Sequence, residues 1–88
     1  MYRLLIDPPA RKDMDRLKGN LWQRVRDAIL GLSEVPRPAG CVKLQGNYDA
    51  YRLRVGDYRI VYEIDDASQV VIVHHVKHRS DIYRQLRG

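Results

Sequence analysis

Tyr51-Arg52-Leu53-Arg54-Val55-Gly56-Asp57-Tyr58-Arg59-Ile60-Val61-Tyr62 places two alternating segments, rich in Val, Ile, Leu and Tyr, on either side of a Gly-Asp pair. This is the pattern of a β-hairpin closed by a two-residue primed turn. With Gly56 and Asp57 as the loop, Val55 faces Tyr58, Arg54 faces Arg59, Leu53 faces Ile60 and Arg52 faces Val61, because side chains alternate with period two. Arg52, Arg54 and Arg59 then share one face, while Leu53, Val55, Tyr58, Ile60 and Tyr62 form the expected core face. Like charges directly opposite each other cost about a few tenths of a kcal/mol, so something must offset Arg54 against Arg59. A polyanion is one natural partner for such a face. A merely solvated sheet face on a basic protein is the plain alternative.

Working outward, Asp65-Asp66-Ala67-Ser68 reads as a turn, and Gln69 to Lys77 as a strand whose Val70-Val71-Ile72-Val73 run continues into His74-His75-Val76-Lys77. On the other side, Val42 to Leu44 starts a strand that leads to a turn at Gly46-Asn47, and Val35-Pro36-Arg37-Pro38-Ala39-Gly40 is a stiff connector. Before it, a helix is expected from Asn20 to about Ser33, with Asn20 as N-cap, Gln23 completing a capping box, and Leu21, Val25, Ala28, Ile29 and Leu32 buried. Trp22 lies at the margin of that stripe and is expected to pack rather than meet a partner. A shorter helix spans about Pro9 to Lys18, with Ala10, Met14 and Leu17 apolar and proline suited to its first turn. Tyr2 to Asp7 reads as a first strand ended by Pro8-Pro9. The C-terminal segment from His78 to Leu86 reads as a short helix, capped by Ser80 and docked by Ile82 or Leu86. The predicted fold is α+β: an N-terminal strand, an αα-hairpin, an antiparallel meander of three to four strands and a short C-terminal helix, with the helix pair covering one sheet face.

Composition sets the outer bounds. Eighty-eight residues suffice for one domain, 1–88, with one modest core. No apolar run approaches a membrane span and no signal-peptide pattern opens the chain, so a cytoplasmic location and no membrane partner are expected. The net charge of +5 and an isoelectric point near 9.7 suit nucleic acid or an acidic protein as partner. Cys41, the single cysteine, has no partner for a disulfide or at metal-ligand spacing and reads as a packing residue.

Several kinds of site are discounted. The glycines are scattered at turns rather than gathered into a phosphate-cradling loop. His74 and His75 are neighbours on a strand and are expected on opposite faces, poor geometry for shared metal binding. No Ser or Cys stands beside a recognisable base. Neither metal nor cofactor is expected.

Lys43-Leu44-Gln45-Gly46, the Tyr51–Tyr62 hairpin and Val76-Lys77-His78-Arg79-Ser80-Asp81-Ile82-Tyr83 together resemble the RelE/ParE superfamily of toxins from type II toxin-antitoxin systems, over essentially the whole chain. The resemblance implies one of two activities. RelE-like members cleave mRNA on the ribosome, whereas ParE-like members inhibit DNA gyrase without a nuclease site. Carried over position by position, the basic and aromatic residues of the RelE-like site fall on Arg52, Arg54, Arg59, Lys77 and Tyr83, and all are filled with suitable chemistry. The resemblance therefore implies a metal-independent endoribonuclease, with a cognate antitoxin and ribosome-bound mRNA as partners and a toxin-antitoxin hetero-oligomer as its resting form. A gyrase inhibitor and a non-toxic antitoxin-binding module are the alternatives.

Such cleavage proceeds by attack of the ribose 2′-hydroxyl on the adjacent phosphate. Negative charge then accumulates on the phosphoryl oxygens, where fixed guanidinium groups at Arg52, Arg54 and Arg59 would stabilise it more than in the ground state. Tyr83 is a candidate to stack on a base or to move a proton. The RelE-like pattern more commonly has lysines before the hairpin and arginine after the last strand, so the arginines at 52 and 54 and Lys77 are departures. Guanidinium stays protonated at ordinary pH, so neither Arg52 nor Arg54 is a general base. That role falls to Lys77 with a lowered pKa, to Tyr83, to His78, whose imidazole titrates near neutrality, or to no side chain. Arg79 is a secondary candidate, either for RNA contact or for pairing with a nearby Asp.

Overall fold

The computed structural model describes residues 1–46 and 49–81. Along the chain run β1 (Arg3–Ile6), α1 (Pro8–Asp15), α2 (Asn20–Gly31), β2 (Val42–Lys43), β3 (Ala50–Val55), β4 (Tyr58–Asp65) and β5 (Val70–His78), after which residues 79–81 begin a helical turn. One sheet orders the strands β1-β5-β4-β3-β2. The four later strands form the expected antiparallel meander, and the first strand joins it in parallel with the last, Arg3 opposite Val70 through Ile6 opposite Val73. Asn47 of the expected 46–47 turn, and Tyr83, Ile82 and Leu86 of the C-terminal segment, lie outside the described residues.

The hairpin has the register its alternation dictates: Arg52 opposite Val61, Leu53 opposite Ile60, Arg54 opposite Arg59 and Val55 opposite Tyr58. Gly56 takes φ +58, the left-handed conformation that the first residue of a primed turn requires and that only glycine adopts at low cost. One face of the sheet is apolar. Tyr51, Val55, Ile60, Tyr62, Ile64, Val71, Val73 and Val76 pack there against Ala10, Leu17, Val25, Ile29 and Leu32 from the helical layer. Tyr51 and Tyr62 stack with ring centroids 5.8 Å apart. The Tyr62 hydroxyl donates to the Pro36 carbonyl at 2.8 Å, and burial pushes its phenol above the ordinary range. Arg37 ties the connector to the sheet: Nε donates to the Tyr51 hydroxyl at 2.9 Å, and the guanidinium pairs with Asp66 at 2.9 Å. Arg37, followed by the Tyr2 hydroxyl, holds the Asp66 carboxyl below the usual carboxylate range.

Three local expectations need correction. Gly19, at φ 59, is the N-cap of α2, and no side chain caps it; Asn20 is already helical, because glycine alone accommodates that entry angle. Trp22 stays 36% exposed outside the core, with the Arg26 guanidinium 5.1 Å above its ring, a cation–π contact that shields one face without burying it. The final turn is already helical at Arg79, so Ser80 stands inside it rather than before it, with its N–H accepted by His78 Nδ1 at 3.3 Å and its hydroxyl 3.0 Å from the same nitrogen.

Candidate active site

Arg52, Arg54 and Arg59 line a cleft of about 200 Å³ on the sheet face away from the helices, closed on one side by Gly40 and Val42 of the connector and β2. The cross-strand clash foreseen for Arg54 and Arg59 is resolved by the turn itself. Arg54 Nε donates to the Gly56 carbonyl at 3.3 Å, and Arg59 Nη1 donates to the same oxygen at 3.2 Å and to the Tyr58 carbonyl at 3.0 Å. Backbone carbonyl dipoles at the hairpin tip thus hold two guanidiniums side by side, with Arg54 exposed and Arg59 half-buried. Guanidinium groups anchored on one edge retain further donors in a rigid fork, the arrangement that binds phosphate oxygens in two-pronged fashion.

Lys77 sits opposite Arg59 in the sheet, but its ammonium is committed elsewhere. β1 ends opposite Val73, so the far half of β5 has no strand beyond it, and α1 covers that edge. Asp13, 6% exposed, accepts the Val76 N–H at 2.9 Å through Oδ2 and the Lys77 ammonium at 2.7 Å through Oδ1. One carboxylate therefore seals an open strand edge and pairs the neighbouring lysine. Sequence reasoning missed Asp13. It stands three residues after Ala10 and four before Leu17, on the apolar stripe of α1, and a carboxylate on a buried stripe signals a paired charge.

His78 is not brought to the arginines. It pairs with Tyr58 across the sheet, on the helix side, and the two rings meet edge to face at 5.5 Å. Arg79 is exposed, and its backbone N–H donates to the Asp57 carbonyl at 2.8 Å, locking the end of β5 to the hairpin tip. Tyr83 lies outside the described residues.

A second departure lies further along β5. The pairing steps from Val61–His75 to Tyr62–Val73, leaving His74 as an extra residue, a β-bulge that breaks strict alternation. His74 and His75 consequently line the same cleft rather than opposite faces. His74 Nδ1 lies 2.6 Å from Asp7 Oδ2, and Nε2 lies 2.8 Å from Glu63 Oε1. Burial, the largest single influence, disfavours the His74 charge, but the hydrogen bonds that the ring makes to Glu63 and Asp7 outweigh it and raise its pKa. His75 is pushed down, by burial first. No group of three or more metal-ligating side chains forms among the described residues, and no helix there is long and apolar enough to cross a membrane.

A family model described as the ParE toxin of type II toxin-antitoxin system, parDE, matches residues 4–83. The chain belongs to this toxin family. Among relatives of the toxin, Toxin RelG of Mycobacterium tuberculosis is 34% identical over 96% of this chain and 98% of its own length. The mRNA interferase toxin RelE of Escherichia coli is 32% identical over 96% of this chain and 92% of its own. In the crystal structure of the intact E. coli RelBE toxin-antitoxin complex, a chain 30% identical superposes with a TM-score of 0.76, covering 89% of this toxin and 96% of that chain. The RelE-like α+β architecture is thereby established for the toxin.

Proposed function

We propose that this toxin is an endoribonuclease that cuts messenger RNA on the ribosome, with Arg52, Arg54 and Arg59 as its phosphate-binding and charge-stabilising groups. The observation that carries the reading is the cleft in which these guanidiniums converge, two of them anchored on the Gly56 carbonyl. The name mRNA interferase borne by the E. coli relative supports it. In the reaction a ribose 2′-hydroxyl gives up its proton and its oxygen attacks the adjacent phosphorus, the bond to the 5′-oxygen breaks, that oxygen takes a proton from solvent, and a 2′,3′-cyclic phosphate and a 5′-hydroxyl result. Charge that builds on the phosphoryl oxygens falls where the arginines already point, so little reorganisation accompanies it. The guanidiniums supply the positive charge, and the proposed step calls on no metal.

The proton of the 2′-hydroxyl needs an acceptor. Arginine is not one, His78 is turned to the other face and the Lys77 ammonium is held by Asp13, so Tyr83 or solvent takes it. A site without a built-in imidazole or carboxylate base is slow until RNA is held in line for attack, which is what a ribosome-bound message provides. Its partner is a cognate antitoxin, by analogy with the RelBE complex. An acidic or amphipathic antitoxin segment over the basic face would block the cleft and release it on dissociation.

The deciding experiment compares a defined mRNA on ribosomes with the same mRNA free, followed by primer extension, alongside a gyrase supercoiling assay. Cuts at a fixed place within the decoding codon, seen only with ribosomes and lost in Arg59→Ala, are expected. Intact message with inhibited gyrase would replace this reading with gyrase inhibition, the other activity that the resemblance implies.

A further inference from the structure

We propose that the cleft beside the arginines is a nucleobase subsite, selective for bases that carry an exocyclic amino group. The inference rests on the arginine cleft being the seat of an RNA phosphate. The second cleft, about 330 Å³, is walled by Leu44, Ala50 and Val61 and holds the Asp7, Glu63, His74 and His75 side chains. It opens on the same sheet face. Val61 is paired with Arg52 across β3 and lies between Arg59 and Glu63 on β4, where successive residues on one face stand roughly 7 Å apart. A strand of RNA laid along β4 with a phosphate at Arg59 therefore passes Val61 and Glu63.

Charge decides which part of that strand enters. Both ring nitrogens of His74 face carboxylate oxygens, and ionised carboxylates only accept, so the arrangement is satisfied by an imidazolium between two carboxylates. That cluster keeps one net negative charge. It repels phosphate, which stays with the arginines, and leaves the neutral base as the fitting occupant. Asp7 and Glu63 each spend one oxygen on His74, and the second oxygen of each makes no hydrogen bond to any described residue. Those oxygens suit the amino groups of adenine, cytosine or guanine, whereas uracil offers a single N3–H set between two carbonyl oxygens that they repel. His75 Nδ1 is buried and has no hydrogen-bond partner among the described residues, and the His75 ring lines the cleft beside Glu63, where an occupant would alter its surroundings. The apolar wall takes the ring face.

The test uses short oligodeoxynucleotides, which lack the attacking hydroxyl: a run of deoxyuridine and the same run with one adenine, cytosine or guanine. Binding is followed by NMR at the imidazole resonances of His74 and His75. Amino-bearing oligonucleotides should shift His75 and bind at least ~5-fold tighter than all-deoxyuridine. Glu63→Gln keeps an acceptor for His74 but turns a carboxylate oxygen into a donor, and should bring the oligonucleotides within about twofold of each other. Equal binding of all bases by the native protein, or imidazole shifts caused only by a lysine- or arginine-rich peptide, would overturn the subsite. The ribosome assay separates the two claims. Cleavage without base selectivity removes the subsite and spares the nuclease; selective binding without cleavage removes the nuclease and spares the subsite.

Discussion

Replacing Asp13 with alanine should unfold the toxin more readily than any single change on the arginine face. Two interactions disappear at once. The Val76 N–H loses its acceptor at a buried edge, which costs about 1–3 kcal/mol when nothing replaces it. The Lys77 ammonium, on a side chain 24% exposed against 5% for Asp13, loses its counter-charge; breaking a fully buried pair costs about 3–5 kcal/mol. Partial exposure lets Lys77 recover hydration, so the two terms together amount to about 3 kcal/mol. For a domain of this size that is a fall of about 12–24 °C in Tm, readable by circular dichroism and by urea titration at pH 7. Asp13→Asn keeps one acceptor oxygen and should lose about half as much. Lys77→Met leaves Asp13 with Val76 alone, and a double-mutant cycle between residues 13 and 77 should return a coupling of at least ~1 kcal/mol. A loss below ~0.5 kcal/mol in Asp13→Ala, or no coupling to Lys77, would refute the edge-sealing role and return Lys77 to the pool of free cations.

Arg59→Ala should reduce cleavage of ribosome-bound message by about 10²–10³-fold, the typical loss for one donor to a developing anion, with urea stability nearly unchanged; Arg59→Lys should recover only part, because it loses the fork. For His74 the sign follows from its raised pKa: the stabilisation is complete below the unfolded value of about 6.5 and fades as pH rises through the higher folded value. The difference in urea stability between native protein and His74→Gln should therefore shrink from pH 6 to pH 9. His75 tilts the profile the other way but is common to both proteins. Gly56→Ala should cost about 1–2 kcal/mol from its positive φ, since the nearest atoms to the added methyl, those of the Arg24 guanidinium at 3.6 Å, are at ordinary contact distance. It should also weaken cleavage by disturbing the carbonyl that holds Arg54 and Arg59, measured in the same primer-extension assay.

Alternation made the hairpin legible. Once Gly56-Asp57 was taken as the turn, period two alone settled which residues meet and which arginines share a face, and the helical stripes named Val25, Ile29 and Leu32 as core. Much of what stayed hidden depends on contacts between residues distant in sequence. Nothing local to Arg3–Ile6 says that it runs parallel to Val70–Val73. The bulge at His74 adds one residue and inverts the face of its neighbour, so the rule that served the hairpin failed one strand later. Lys77 read as one more cation of the basic face because its partner, Asp13, comes from the other end of the chain. The anchoring of Arg54 and Arg59 is a main-chain carbonyl, which no residue pattern displays. The order of the arginines was readable; what positions them was not.

The pairing of β1 with β5 also bears on when the toxin comes into being. Arg3 meets Val70, and Asp13 meets Val76 and Lys77 across 63 and 64 residues. Such closures bring their entropic cost early and their reward late, so they belong to the slow end of folding. On a translating ribosome, β1 and α1 emerge first and must wait for the last strand before their edges are matched. A nascent chain that still lacks β5 has no central strand between β1 and β4 and no partner for the Asp13 carboxylate. The arginine hairpin can close by itself, but the scaffold that holds it is complete only once β5 has followed it out, so the basic cleft acquires its final shape well after its own arginines have been joined.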